Sequence, residues 1–207
     1  MSESVVVIGA GGHAKVVLAT LEALGTEVTG IFDDSADLWG MQLLGHEVKG
    51  PVQEAQSYGA PGILAIGSNR QRQKLAEELS LEWVSAIHPS ALVHETVEVG
   101  PGSVIFAGAI VQPETVIGDH VIVNTGARID HDCRIGSFSH IAPGASLAGT
   151  VAIGQGALMG IGSCAIPGVT IGDWSVVGAG AAVVSDLDSQ VTATGVPAKS
   201  AGGDLSS

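Results

Sequence analysis

Aromatic side chains are nearly missing from this 207-residue chain: three Trp, three Phe and one Tyr, 3% of all residues. Hydrophobic residues still make up 45%, so a core exists but must be built from Val, Ile, Leu and Ala. Such a core suits thin, repeated layers better than one bulky interior. Positive charge is scarce as well. Eight Lys and Arg stand against 21 Asp and Glu, giving a formal charge of −13, and no basic run occurs. This excludes the electrostatic footprint of a nucleic-acid binder or of a protein held on an anionic membrane. Any phosphate must be held by backbone N–H groups and a few local cations. With only two cysteines, Cys133 and Cys164, no disulfide framework is expected, and both thiols are expected to be reduced and buried. No apolar stretch reaches the ~18 residues of a spanning helix, and no basic-then-apolar leader is seen. A soluble, cytoplasmic protein with no nucleic-acid or membrane partner is the expectation.

Two rhythms divide the chain. In the first, apolar runs that end in glycine or aspartate alternate with helical spacing. "SVVVIGAGG" reads as a strand, "HAKVVLATLEALG" as a helix stopping at Gly25, and "EVTGIFDDS" and "GILAIGSN" as two more strands. "RQRQKLAEELS" reads as a second helix, and "LEWVSAIHPSA" as a strand leading out. This order predicts a small Rossmann-like parallel sheet over residues 1–84, with ligands at the carboxyl ends of its strands. Gly11, Gly12 and His13, the pair Asp33 and Asp34, and Gly67 fall at those ends. Gly9, Gly11 and Gly12 followed by His13 do not complete the G-x-G-x-x-G fingerprint, although Asp33 lies about twenty residues on. A nucleotide-sugar diphosphate cradled at a helix start is therefore expected in place of a dinucleotide.

The second rhythm has a period of six. From Ile87 to Val183 every sixth residue is apolar, seventeen in succession, and only Ala165 is small. Two residues before each, from Ala91 to Ala181, stands Ala, Val, Ser, Thr or Cys. No insertion breaks the register. This is a hexapeptide β-helix over 85–185: each hexad gives a short strand and a corner, and three hexads give a coil of about 18 residues. Residues 186–207 are expected to close and follow the stack.

Within the repeat, His131 lies two residues after the inward Ile129, near a corner from which it can point outward. Asp130 and Asp132 flank it, and a carboxylate bound to one imidazole nitrogen makes the other a better base. Gly149, 18 residues later, should stack over His131, leaving room for a substrate and a free N–H for an oxyanion. His46, His88, His94 and His120 are expected at corners or on the surface. The spacings His120–His131 and His131–His140, 11 and 9 residues, are not multiples of a coil, so no metal site is expected. Cys133 occupies a small-residue position that points inward, so no acyl-enzyme is expected on it.

The repeat resembles the left-handed β-helix of hexapeptide acyltransferases, and the tail "VTATGVPAK" resembles their closing segment. The resemblance implies the left-handed sense and a homotrimer with its active site in a cleft between subunits. The whole chain is similar to one branch, the PglD/NeuD-like bacterial enzymes that acetylate nucleotide-activated amino sugars, such as the UDP-4-amino-sugar N-acetyltransferase of bacillosamine synthesis, with the related sialic acid O-acetyltransferases. "GAGGHAK", Asp33–Asp34, Ile66-Gly67-x-Asn69 and the run Asn124, Thr125, Asp130, His131, Asp132, Cys133, Ile135, Gly136, His140 carry that similarity. It implies an acetyl-CoA-dependent enzyme without metal, with His131 as general base and Asp132 raising its basicity. It places the nucleotide sugar on Gly11, Gly12, His13, Asp33, Asp34, Gly67 and Asn124, with UDP first among the nucleotides. It places acetyl-CoA on His140, Ile161 and Ala179, and the stacking over His131 adds Gly149 to that cofactor site. Three departures stand out: Ala179 replaces a glycine, Ser68 replaces a frequent Asp, and Asp132 replaces a frequent Glu. O-acetylation of a sialic-acid-type sugar and a non-catalytic sugar-binding role remain the alternatives.

Overall fold

The computed structural model describes residues 4–200; residues 1–3 and 201–207 of the expected first and last segments lie outside the described residues. Strand β1 (Val5–Ile8) is buried along its whole length, as a central parallel strand must be. Helix α1 (Gly12–Leu24) follows it and ends at Gly25, whose left-handed backbone lets its N–H reach back to Glu22 and Leu21. Strands β2 (Val28–Phe32) and β5 (Gly62–Leu64) flank β1, both parallel to it. A hairpin of β3 (Gln42–Leu43) and β4 (His46–Gly50) adds the edge, with β4 parallel to β2. The sheet order is β3-β4-β2-β1-β5. The hairpin and a 3₁₀ segment, Val52–Tyr58, are not foreseen by hydrophobic pattern, because β4 is a polar strand with only Val48 and Gly50 buried. Helix α2 (Asn69–Glu78) begins beyond β5, its first turn capped by the Ser68 hydroxyl.

Seventeen two-residue strands follow, β6 (Ala86–Ile87) to β22 (Ala182–Val183), one every six residues. They stack into three parallel sheets that form the faces of a triangular prism. One face runs β6, β9, β12, β15, β18, β21; a second β7, β10, β13, β16, β19, β22; a third β8, β11, β14, β17, β20. Every sixth aliphatic from Ile105 to Val183 is buried in a single core, with the small residues between. At Ser103, Thr115, Cys133 and Ser175 the small residue also closes hydrogen bonds at the tight corner, whereas the Ser139 and Ser163 hydroxyls have no partner among the described residues. Thr115 donates to the Asp130 carbonyl and accepts from the Cys133 N–H, and Ser103 does the same with Gly118 and Val121. The last coil is closed by β23 (Thr192–Thr194), which extends the first face, and β24 (Lys199–Ser200), antiparallel to it.

The N-terminal sheet sits on the first face. Ala86, Val104, Phe106 and Ile122 share a core with Val5, Ala14, Val17 and Leu18. The ligand end of that sheet is thereby directed at the coils.

Candidate active site

Each coil has three corners, and each corner has its own chemistry. Where the first face meets the second, the left-handed position is always glycine, at 108, 126, 144, 162 and 180. No atom lies closer than 4.0 Å to a Cβ built on any of the five, so this edge is bare backbone. Where the second face meets the third, the left-handed positions are Glu114, Asp132, Thr150 and Gly168. Where the third meets the first, they are Gly102, His120, Phe138, Gly156 and Trp174.

His131 stands on the second of these edges, after strand β13 (Arg128–Ile129). Asp130 accepts the backbone N–H of His131 at 2.8 Å, and Asp132 Oδ2 lies 2.7 Å from His131 Nδ1. That contact puts the proton on Nδ1 and leaves Nε2 as the free base. The hydrogen bond to Asp132 raises the His131 pKa above 6.5, and the charge of Asp130 adds to it. Both side chains are more than half exposed. The ring lies over Gly149, where a Cβ would come within 2.6 Å of Nε2. The space left by the glycine is therefore occupied by the imidazole itself. The Gly149 N–H donates to no group among the described residues.

The strand-end residues gather elsewhere, between the N-terminal sheet and the first face. Gly11 caps α1 and Gly12 begins it, and open space lies where their side chains would stand. Gly9 has φ +106, and a Cβ there would clash with Ile66, so this turn requires glycine. Asp33 uses one carboxylate oxygen on the Ala10 N–H and the other on the Ser35 N–H, tying the end of β2 to the glycine turn. Asp34 accepts the Val52 N–H. His13 packs edge-on against Phe106, with its ring centroid 6.3 Å from that of His140. Its Nε2 is buried without a partner among the described residues.

His140, on β15 (His140–Ile141), faces this crevice. The Asn124 Oδ1 accepts the Thr125 N–H, so its Nδ2 is turned to His140 Nε2 at 3.0 Å. The Gly67 backbone lies beside the ring and favours its charged form, the smallest of the influences on it. Burial, then the charges of Arg72 and His13, push its pKa down to about 3. Burial first and Arg72 second take His13 down to about 4. At neutral pH His131 is thus the histidine equipped to take a proton, and His140 is a fixed, neutral hydrogen-bonding group.

The expected site residues therefore fall in three places. Gly11, Gly12, His13, Asp33, Asp34, Gly67, Asn124 and His140 border the crevice. His131, Asp132 and Gly149 share one edge. Ile161, 62% exposed, and exposed Ala179 stack one coil apart on the glycine edge. Within one chain His140 is not beside Gly149, because strands 18 residues apart stack and the nine-residue step between these two carries the chain to another face. Two expectations are corrected. Cys164 is exposed, because it occupies the outward position beside the inward Ala165. His120 is buried, stacked on Phe138 and edge-on to Trp83, with its pKa lowered to about 4 chiefly by burial. Sequence reasoning placed Asn69 at a strand end but missed Arg70 and Arg72, which with it form the seam on α2 that brings the crevice together. Its signal was an Arg three residues after a strand-end Asn, in a chain with few cations.

Residues 4–79 match the PglD N-terminal domain family, and residues 114–149 match the bacterial transferase hexapeptide (six repeats) family. A histidine variant of perosamine N-acetyltransferase from Caulobacter crescentus, solved with CoA and GDP-perosamine, is 44% identical. It covers 98% of this chain and 99% of its own, with a TM-score of 0.93. The chain belongs to the PglD-like nucleotide-sugar N-acetyltransferases. The acetyltransferase domain of PglB from Neisseria gonorrhoeae, solved with acetyl coenzyme A, is also similar: 37% identical over 97% of this chain and 100% of that one, TM-score 0.90. UDP-N-acetylbacillosamine N-acetyltransferase of Bacillus subtilis is 38% identical over 114 residues, 51% of this chain and 52% of that protein. The chain spans about half or less of the length of the curated relatives it matches. Membership makes the β-helix left-handed, as these family structures are. No helix among the described residues is long and apolar enough to cross a membrane.

Proposed function

We propose that the protein transfers the acetyl group of acetyl-CoA to the amine of a nucleotide-linked amino sugar. The observation that carries this is the His131–Asp132 pair, with Nε2 free above Gly149. The amine nitrogen attacks the thioester carbonyl, and its proton passes to His131 Nε2. Asp132 steadies the imidazolium through Nδ1, and the Gly149 N–H supports the developing oxyanion. As the C–S bond breaks, the imidazolium returns the proton to the departing thiolate. Cys133 takes no part: it is buried, burial raises its thiol pKa, and its Sγ is bound to the Ala148 carbonyl.

The crevice around Gly11, Gly12, His13 and Gly67 holds the nucleotide diphosphate by backbone N–H groups at the start of α1. The glycine edge, bare from 108 to 180 with Ile161 and Ala179 upon it, accommodates the length of CoA. His131 stands on a different edge of the same prism. A homotrimer solves this by setting the His131 edge of one copy against the glycine edge of the next. GDP-linked sugars come first among acceptors, since the relative that matches nearly the full length of this chain was solved with GDP-perosamine.

The test is thiol release from acetyl-CoA against GDP-, UDP- and dTDP-linked 4-amino sugars, with His131→Ala alongside. Turnover with one sugar, reduced about 10²-fold or more in the variant, is expected. Full activity of His131→Ala in intact trimers refutes the assignment. Turnover only on a sialic-acid-type hydroxyl makes the enzyme an O-acetyltransferase.

A further inference from the structure

Arg72 is the largest fully buried side chain of the protein, 1% exposed. No carboxylate contacts it among the described residues. Its guanidinium is surrounded by six oxygens, five of them backbone carbonyls. On the N-terminal side Nη1 donates to Ile66 O (3.0 Å) and Gly67 O (3.3 Å), and Nη2 to Asn69 Oδ1 (2.9 Å). On the coil side Nε donates to His120 O (2.8 Å), and Nη2 to Phe138 O (2.7 Å) and Ser139 O (3.1 Å). Asn69, with Oδ1 thus held, points Nδ2 at the carbonyls of Gly156 and Ala157. Arg70 lies over the Trp174 ring, 4.6 Å from its centroid.

A buried cation with no counter-charge costs several kcal/mol in desolvation, which its hydrogen bonds offset only in part and which stability alone does not call for. An apolar side chain would join two domains more cheaply. What Arg72 adds is placement. The Gly67 carbonyl it holds lies beside His140, whose ring is bonded to Asn124, and the Asn124 side chain accepts the Thr125 N–H. Thr125 stands on the glycine edge, where Ile161 and Ala179 stack two and three coils further on. A chain of contacts thus leads from Arg72 past Gly67 and His140 to that edge.

We propose that Arg72 is a positioning residue for the acetyl transfer. By binding carbonyls of both domains it fixes Gly67 against His140, and so sets the sugar crevice in register with the coils. This rests on the reading of the crevice as the nucleotide-sugar site. Its charge has a second effect: with burial, it holds His13 and His140 neutral, so that no like charge opposes the amino sugar. The charged or titratable groups facing that pair are Arg72 and each other. Asp119 acts only on His120.

Arg72→Lys and Arg72→Met test this. Lysine keeps the charge but offers three donors in place of five, and no fork. In Arg72→Lys, kcat/KM for the nucleotide amino sugar should fall at least tenfold, while KM for acetyl-CoA stays within about twofold. Ring-nitrogen NMR of His140 in the full-length protein should show one neutral tautomer, protonated at Nδ1, from pH 5 to 8. In Arg72→Met the ring should titrate within that range or lose its single tautomer. Folded variants with wild-type kinetics and an unchanged His140 spectrum overturn the proposal and make Arg72 a structural residue only. If Arg72→Met does not fold, Arg72→Lys carries both readouts. If the wild type acetylates no amino sugar, the functional reading fails, and the His140 spectra still decide whether Arg72 sets that ring.

Discussion

A methyl group at position 149 would collide with the imidazole of His131. Its carbon would stand 2.6 Å from both Cε1 and Nε2, where ordinary contact begins at 3.4 Å. The backbone at 149 is outside the left-handed region, so alanine is admissible there. The ring is more than half exposed and is the element that yields, swinging outward by about 0.8 Å or more and breaking the 2.7 Å contact with Asp132. A misplacement near 1 Å costs about 10² in rate. Stability should hardly move, because alanine restricts the unfolded chain by about 0.4–1 kcal/mol, offsetting residual strain. Gly149→Ala is therefore expected to melt within a few degrees of wild type and to lose about 10² in kcat. Thermal denaturation and thiol release on the same preparation read both. A variant with unimpaired turnover would refute the base assignment, since a base whose ring can be moved freely is not one the reaction depends on.

Two further predictions concern pH. As the proposed base His131 would act as the neutral imidazole, and Asp132 raises its pKa. The acid limb of kcat/KM therefore lies above pH 6.5 in the wild type and moves down toward 6.5 in Asp132→Asn, with a plateau lowered by up to about 10²; a limb that moves upward contradicts the pairing. His120 has a folded pKa of about 4 against 6.5 when unfolded, so the unfolded state binds more protons between these values. Stability is lost as pH falls from about 6.5 to about 4, by at most about 3 kcal/mol from this residue. His13 and His140 add loss of the same sign. His120→Phe preserves the stack on Phe138, removes an unpartnered ring nitrogen, and should shrink the Tm drop between pH 7 and 5. An unchanged slope would show that His120 is not the titrating group.

The β-helix was legible in the sequence because its periodicity is local. A period of six with an inward aliphatic and a small corner residue leaves one way to bury every sixth side chain, so the stack of His131 on Gly149 follows from counting 18. The edge on which His131 stands, and its aspartate partner, were readable for the same reason. The β1–α1–β2 unit was readable because strand-end glycines and the Gly25 stop act within a few residues. What only the tertiary structure decided lies between the two units. The pattern of residues 46–50 is too short and polar to announce a strand until β2 is there to pair with it. His120 looks like any corner residue until Trp83 and Phe138 enclose it. Arg72 looks like a solvated helix residue until the first face of the prism supplies carbonyls to its far side. Local sequence sets backbone period and turn chemistry, whereas the burial of a polar side chain depends on which distant surface closes over it. In this protein that closing surface gathers the crevice around His140 and leaves His131 on an edge of its own.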